Sequence, residues 1–457
     1  MRQPRDMDRT LEAVLATPLG DLTTRPWFDR FALWGLLRWY VPLSRLWAAA
    51  ATADVDRFAA ESGLERLAGP RRGFARVLLD QHAAAARTAS ALDARWEAAL
   101  FGATRLAPER VRDLEVERRA ASHAFMMQRL RFLPLLRGVD PPKVRWAVPT
   151  PDRAAAEWQA VIADPAQAYR PPRSAQAVSR SSGYEAASAA VSWLRFASPT
   201  MGDVVTARVT EPQGPAVATV IVGHGLLVDA ELWRTTIGAA DAFVALGCRV
   251  VEPTSPWHGR RTVPGHYGGE PFIATAPVGP LALLQAQVHE TATIVGWCRE
   301  VFGGPVAVGG VSMSSFATQL VVSHCAAWPA AMRPDAALLV VHHGDPGQLL
   351  WSSRLATGLG ADGALATAGW TAQRLEPFSK AIAPTARPAI APDRIVSLLG
   401  RRDAVTPFAG GEALCEAWGL PTVNRIVLPG GHFSAPLAAL RDRRPFARFV
   451  AVARGGR

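Results

Sequence analysis

The sequence predicts an α/β fold: a mostly parallel sheet covered on both faces, with a helical N-terminal extension and a small helical cap insertion. Three observations carry this reading. From about residue 185, short β-branched runs alternate with amphipathic helical stretches, as strand–crossover–strand units require. Before residue 140, runs such as Ala83–Ala99 and Glu109–Leu136 are rich in Ala, Leu, Arg and Glu and show no strand-like alternation. Between the two, prolines thicken at Pro141-Pro142, Pro149, Pro151, Pro165 and Pro171-Pro172. The expected organisation is a helical region over 1–140, a Pro-rich connector over 141–183 and an α/β domain over 184–457, its cap inserted at about 347–392.

Taken in order, the strand candidates are Val204–Thr210, Ala218–Val222, Arg249–Glu252, Val306–Gly309, Ala337–Val341, Ile395–Leu399 and Arg425–Leu428. Segment 191–211 reads as an antiparallel hairpin ahead of the parallel strands. Helices are expected around Glu231–Leu246, Leu284–Val301, Ser315–Ala327 and Gly411–Trp418. A last one, Leu437–Val452, follows Pro436, a residue suited to a helix's first turn.

Composition removes several classes. The chain has 457 residues, 49% hydrophobic and 19% charged, too apolar for a disordered protein and long enough for a sizeable core. Its formal charge is +11, carried almost wholly by arginine. Residues 1–183 are net +8 and residues 184–457 net +3. No nucleic-acid module accompanies this excess, so no nucleic-acid partner is expected. Cys248, Cys298, Cys325 and Cys415 lie far apart without metal-ligand spacing, as expected of buried thiols in a cytoplasmic protein that holds no metal. The opening MRQPRDMDRT lacks the apolar core of a signal peptide, and no transmembrane span is predicted.

The chemistry is expected where strands end. Val306–Gly309 runs into Gly310-Val311-Ser312-Met313-Ser314 and then a helix, the strand–turn–helix setting of a nucleophile elbow. The turn is so sharp that residues two positions either side of the serine must be small. Gly310 satisfies this, and Ser314 stands where a second glycine is usual. Asp403 follows strand Ile395–Leu399, and His432 follows strand Arg425–Leu428. The order Ser312, Asp403, His432 suits a nucleophile, an orienting acid and a general base. Strand Ala218–Val222 ends in Gly223-His224-Gly225-Leu226. There the amide of Leu226, with Leu227 in reserve, would join that of Met313 in binding an oxyanion.

Over residues 185–455 this set resembles the α/β-hydrolase superfamily. It most resembles the alpha/beta-hydrolase domain-containing protein 18 family, through Arg195–Pro199, Gly223–Leu226, Trp233-Arg234, Pro256–Arg261 and the three residues above. The resemblance implies a cofactor-free serine hydrolase acting on a small-molecule or lipid ester through an acyl-enzyme. An acyltransferase using the same triad and a non-catalytic binder are the competing readings. Some members of the superfamily place the acid one strand earlier, which makes Asp345 the alternative to Asp403.

Two segments are expected to shape the pocket. One is the loop Thr254–Leu283, with Trp257, His258, Arg260 and Arg261 as candidate substrate contacts; equally, the arginines could pin the loop by ion pairs. The other is the cap, with Trp351, Trp370 and Phe378. Stretch Trp27–Trp47 reads as a helix with a broad aromatic face, Arg30, Arg38 and Arg45 falling within about 100° of one another. Such a face either packs on the rest of the chain, the commoner outcome, or lies on an anionic lipid surface as a peripheral membrane contact. The sequence leaves the oligomeric state undefined.

Overall fold

The computed structural model describes residues 18–456 apart from 24, 65–66, 138, 173–175, 187–188 and 228–238. The expected Trp233-Arg234 and the first half of helix Glu231–Leu246 therefore lie outside the described residues.

Among the described residues, ten strands form one sheet: β1 Ser179–Arg180, β2 Tyr184–Glu185, β3 Ala189–Ala197, β4 Val204–Pro212, β5 Thr219–Gly223, β6 Arg249–Pro253, β7 Val306–Val311, β8 Ala336–Val340, β9 Ile395–Gly400 and β10 Arg425–Leu428. Their order is β1-β3-β4-β6-β5-β7-β8-β9-β10, with β2 also paired to β3. β3 and β4 form the expected hairpin, in register from Ala189↔Pro212 to Ala197↔Val204. β4 is antiparallel to β6, and from β6 onward every pairing is parallel. This is the α/β-hydrolase fold. The crossing of β5 and β6 makes β5 central, so its C-terminal end opens beside that of β7.

Alternation along each strand divides the core between the two faces. Ile221, Val251, Val308 and Leu339 pack under helices Val278–Phe302 and Met313–His324. Val220, Val250, Ala307 and Leu338 point the other way, towards helices Ala239–Ala245, Ser434–Asp442 and Arg444–Ala453. The last two replace the single helix expected over Leu437–Val452. The chain breaks at Arg443, whose φ of 56° is left-handed, and restarts with Pro445 in the first turn.

The N-terminal extension is helical, with its own core under Val55–Glu61 and Gly69–Leu100. The run expected over Glu109–Leu136 ends as α-helix at Met127 and continues as a tighter 3₁₀ stretch that accommodates Pro134. Trp27–Trp47 is likewise two helices, Pro26–Gly35 and Val41–Ala49, joined by a π-turn at Leu36–Tyr40. The Pro-rich 141–183 stretch contains helix Pro151–Ala163, its proline occupying the first turn where no amide bond is lost. A buried ion pair ties the extension to the 254–283 segment. Arg45 reaches Glu270 at 2.8 and 2.6 Å, and neither side chain is exposed.

Between β8 and β9 lie the cap helices Pro346–Ser352, Arg354–Leu359, Ala361–Thr367 and Ala372–Ala381.

Candidate active site

Ser312 sits between β7 and helix Met313–His324 with φ 54° and ψ −112°. A side-chain-bearing residue rarely adopts this conformation, and the surroundings hold it there. The Ser312 amide donates to the Val340 carbonyl at 2.9 Å. Gly310 leaves no space for a Cβ against the backbone of Ser314, and a Cβ on Gly223 would lie 2.6 Å from the Ser314 side chain. Ser314, the departure from the usual glycine, has work of its own. Its hydroxyl donates to the His224 carbonyl at 2.6 Å and accepts from Gln287 Nε2 at 3.0 Å, tying the elbow to the loop after β5.

The three expected residues meet. His432 Nε2 lies 3.0 Å from Ser312 Oγ, and its Nδ1 lies 2.8 Å from Asp403 Oδ2. Asp403 is itself oriented: Oδ1 accepts from the amides of Val405 and Thr406, both at 2.8 Å. Thr406 Oγ1 stands 2.9 Å from Asp403 Oδ2 and 3.2 Å from His432 Nδ1. A carboxylate facing Nδ1 fixes the proton there and leaves the Nε2 lone pair for the serine hydroxyl. Asp345 is used elsewhere. It caps helix Pro346–Ser352 by accepting from the Gln348 amide at 3.0 Å.

Met313 begins its helix, where the first amides have no intrahelical acceptor. Leu226 lines the same cavity as Ser312 and Met313. Its neighbour Leu227 has φ 61°, and the Leu227 carbonyl accepts from Tyr40 Oη at 3.1 Å. His224 holds this loop: its Nδ1 is 2.9 Å from the Gly225 carbonyl, and its Nε2 accepts from the Ser255 amide at 3.3 Å.

The cavity beside Ser312 runs under the cap. Phe272, Phe316, Leu349, Leu359, Leu375 and Phe378 form much of its wall, with Val405 and Thr406 near Asp403. Among the described residues that line it none is charged, and the polar ones are serines and one threonine.

The structure also places the expected substrate contacts of the 254–283 loop. Trp257, His258, Arg260 and Arg261 do not line this cavity. Trp257 packs at the edge of the core. His258 is fully buried, edge-on to His224 at 4.9 Å, with its Nδ1 2.8 Å from the Pro256 carbonyl. Burial, aided by His224, lowers its pKa to about 3, so it is neutral. Arg260 is paired with Asp93 at 2.8 Å and with Glu97. Arg261 is buried against Glu290 and Asp203, each at 2.8 Å. Both cations pin the loop, because opposite charges from distant segments have already claimed them.

No protein-family model matches the sequence, and no curated protein matches it. Similar solved structures include TT1662 from Thermus thermophilus, with 21% identity over 55% of this chain and 95% of that one (TM-score 0.37). An acetyl xylan esterase from Paenibacillus sp. R4 has 12% identity over 67% of this chain and 96% of its own (TM-score 0.45). A lipase in its open form has 16% identity over 57% and 99% respectively (TM-score 0.40). At these identities the likeness is one of fold.

Proposed function

We propose that this protein is a serine hydrolase of carboxylic esters with an apolar acyl group, of carboxylesterase or lipase type. The observation that carries the reading is the line Asp403–His432–Ser312, at 2.8 and 3.0 Å, opening into an uncharged cavity. Ser312 Oγ attacks the ester carbonyl as His432 Nε2 takes its proton. The amides of Met313 and Leu226 receive the negative charge on the carbonyl oxygen, a contribution of about 3 kcal/mol per donor in comparable sites. Collapse expels the alcohol with the proton from His432, leaving Ser312 acylated. Water, deprotonated by His432, then attacks the acyl carbon; the acid leaves and the serine is restored. The uncharged wall supports an apolar acyl group, since a charged one would be desolvated without a partner.

Labelling with a fluorophosphonate followed by peptide mapping, then a series of esters of increasing chain length, tests the reading. Adduct on Ser312 with ester turnover is expected. A folded protein that takes no label would be a binder instead. Label without hydrolysis of any ester would favour acyl transfer to another alcohol. The narrower likeness to the alpha/beta-hydrolase domain-containing protein 18 family rests on the sequence segments named above and adds no substrate.

We further propose a peripheral contact with anionic phospholipid through helix Pro26–Gly35 and the turn after it. Trp27, Phe31, Trp34 and Trp39 are 46%, 58%, 52% and 38% exposed, and their rings touch in succession. Arg25, Arg30 and Arg38 are exposed on the same segment, so aromatic rings and cations would enter the headgroup layer together. Arg45, expected on that cationic side, is instead buried with Glu270. Vesicles of phosphatidylcholine with about one-third phosphatidylserine should sediment the protein. Replacing Trp27, Phe31 and Trp34 by Ser should release it, each buried ring being worth roughly 1.5–3 kcal/mol; binding that survives the triple change would dismiss the contact. No helix among the described residues is long and apolar enough to cross a membrane. The four buried, unpaired thiols fit the reducing, cytoplasmic setting we propose.

A further inference from the structure

The loop bearing His432 is short and glycine-rich, and it leads directly into helix Ser434–Asp442. The first amides of a helix need acceptors from outside it. Phe433, at the capping position, supplies none from its side chain. The acceptor comes from Asp29, on helix Pro26–Gly35 of the N-terminal extension. Its Oδ1 accepts from the amides of Phe433 at 2.8 Å and Ser434 at 3.1 Å. Its Oδ2 accepts from the Gly431 amide at 2.9 Å and from the Ser434 hydroxyl. Gly431 is what permits this approach, since a Cβ there would lie 2.8 Å from Asp29 Cγ.

One carboxylate thus holds the backbone immediately before and immediately after His432. The same short segment makes two more contacts around the site. Leu37 fills the space a side chain on Gly358 of the cap would need, and Tyr40 Oη donates to Leu227 beside the expected oxyanion donor.

We propose that Asp29 is a positioning residue of the active site, holding the His432 loop so that the imidazole stays in line between Asp403 and Ser312. The proposal rests on the hydrolase reading above. A displacement of about 1 Å at a reacting group can cost 10²-fold in rate, so loss of the carboxylate should be felt in turnover. Binding of the acyl group, made by cap residues, should be left nearly intact.

The test compares Asp29→Ala, Asp29→Asn and, as a control, Asp21→Ala in the full chain. Asp21 also reaches helix Ser434–Asp442, but it pairs at the surface with Arg441 in that helix's last turn. First, wild-type protein must label at Ser312; if it does not, the hydrolase reading fails, independently of Asp29. Given labelling, Asp29→Ala should lower kcat on a short soluble ester about 10- to 100-fold with KM changed less than about threefold. Fluorophosphonate labelling should slow in parallel, and Asp29→Asn should fall between Ala and wild type. Asp21→Ala should keep wild-type kcat. The low-field proton resonance of His432 Nδ1–H, hydrogen-bonded to Asp403, gives a readout that mere stabilisation would not move. It should broaden or vanish in Asp29→Ala protein that remains folded by circular dichroism. Wild-type kcat in Asp29→Ala, an unchanged resonance, or a loss of rate no greater than the unfolded fraction would overturn the proposal.

Discussion

Ser312 combines a left-handed backbone with a hydroxyl aligned on His432, and the two properties have separate consequences. The backbone is held by the Val340 carbonyl and by the closeness of Gly310 and Gly223, none of which needs the hydroxyl. Ser312→Ala should therefore fold as wild type while kcat falls by about 10³-fold or more. Steady-state turnover with thermal unfolding checks both halves; near-wild-type turnover would sink the assignment. Two buried histidines make a different prediction. His258 and His342 are fully buried, and burial lowers each pKa to about 3, against about 6.5 in an unfolded chain. Each is neutral when folded. Between pH 6.5 and about 3 the unfolded chain holds more protons, so their stabilisation is fully present above pH 6.5 and is lost as pH falls. The unfolding temperature should drop on acidification from pH 7 to pH 5, and His258→Gln should flatten that slope. A slope identical in the variant would contradict this account.

At the level of elements, what the sequence reveals depends on how local the cause is. The strands and the elbow were readable because alternation, β-branching and a glycine two residues before a serine are written within a few positions. Ser312, Asp403 and His432 were readable because each follows its own strand. Where a helix breaks was harder: Pro445 is the visible signal that Leu437–Val452 must divide, yet the turn itself depends on Arg443 adopting φ 56°. For the Arg260-Arg261 pair the sequence left two readings open, a substrate contact or ion pairs that pin the loop. An exposed arginine pair after a strand suits an anion, but Asp93 and Glu97 on one helix, with Asp203 and Glu290 from two other segments, neutralise these two. The cap was legible as short helices, whereas which of its residues face Ser312 depends on packing. Ala356, in helix Arg354–Leu359, lines the cavity, so Ala356→Phe should narrow it. We expect kcat/KM for a decanoyl ester to fall roughly tenfold or more, with an acetyl ester changed less than about threefold. Equal loss on both esters would place the acyl chain elsewhere.

Over the whole molecule, the N-terminal extension and the sheet are joined by contacts that distribute unequal energies. Surface pairs such as Arg72 with Asp56 contribute little, being solvated and screened. The buried Arg45–Glu270 pair is different, because Glu270 also accepts from the Arg145 amide at 2.8 Å and the Tyr267 amide at 3.2 Å. Glu270→Ala would strand a buried guanidinium and should cost about 3–5 kcal/mol, whereas Arg45→Met with Glu270→Leu should cost much less. Urea unfolding of the single and double variants checks this, and equal losses would show that the pair is not the cause. The charge division sharpens as well: the cations of the extension are partly spent on internal pairs, while Arg25, Arg30 and Arg38 stand exposed beside the aromatic ridge.

The contact between Asp29 and Gly431 spans 402 positions of sequence. Ribosomes deliver a chain from its N-terminus at about 5–20 residues per second, so Asp29 emerges on the order of tens of seconds before the loop it holds. Towards the end of that interval the serine-bearing strand and its helix can form, while the histidine does not yet exist outside the ribosome. The line of Asp403, His432 and Ser312 can be completed only late, when the two remote segments meet. The last strand, Arg425–Leu428, precedes His432 in the sequence, so the sheet is delivered before the imidazole that stands at its edge.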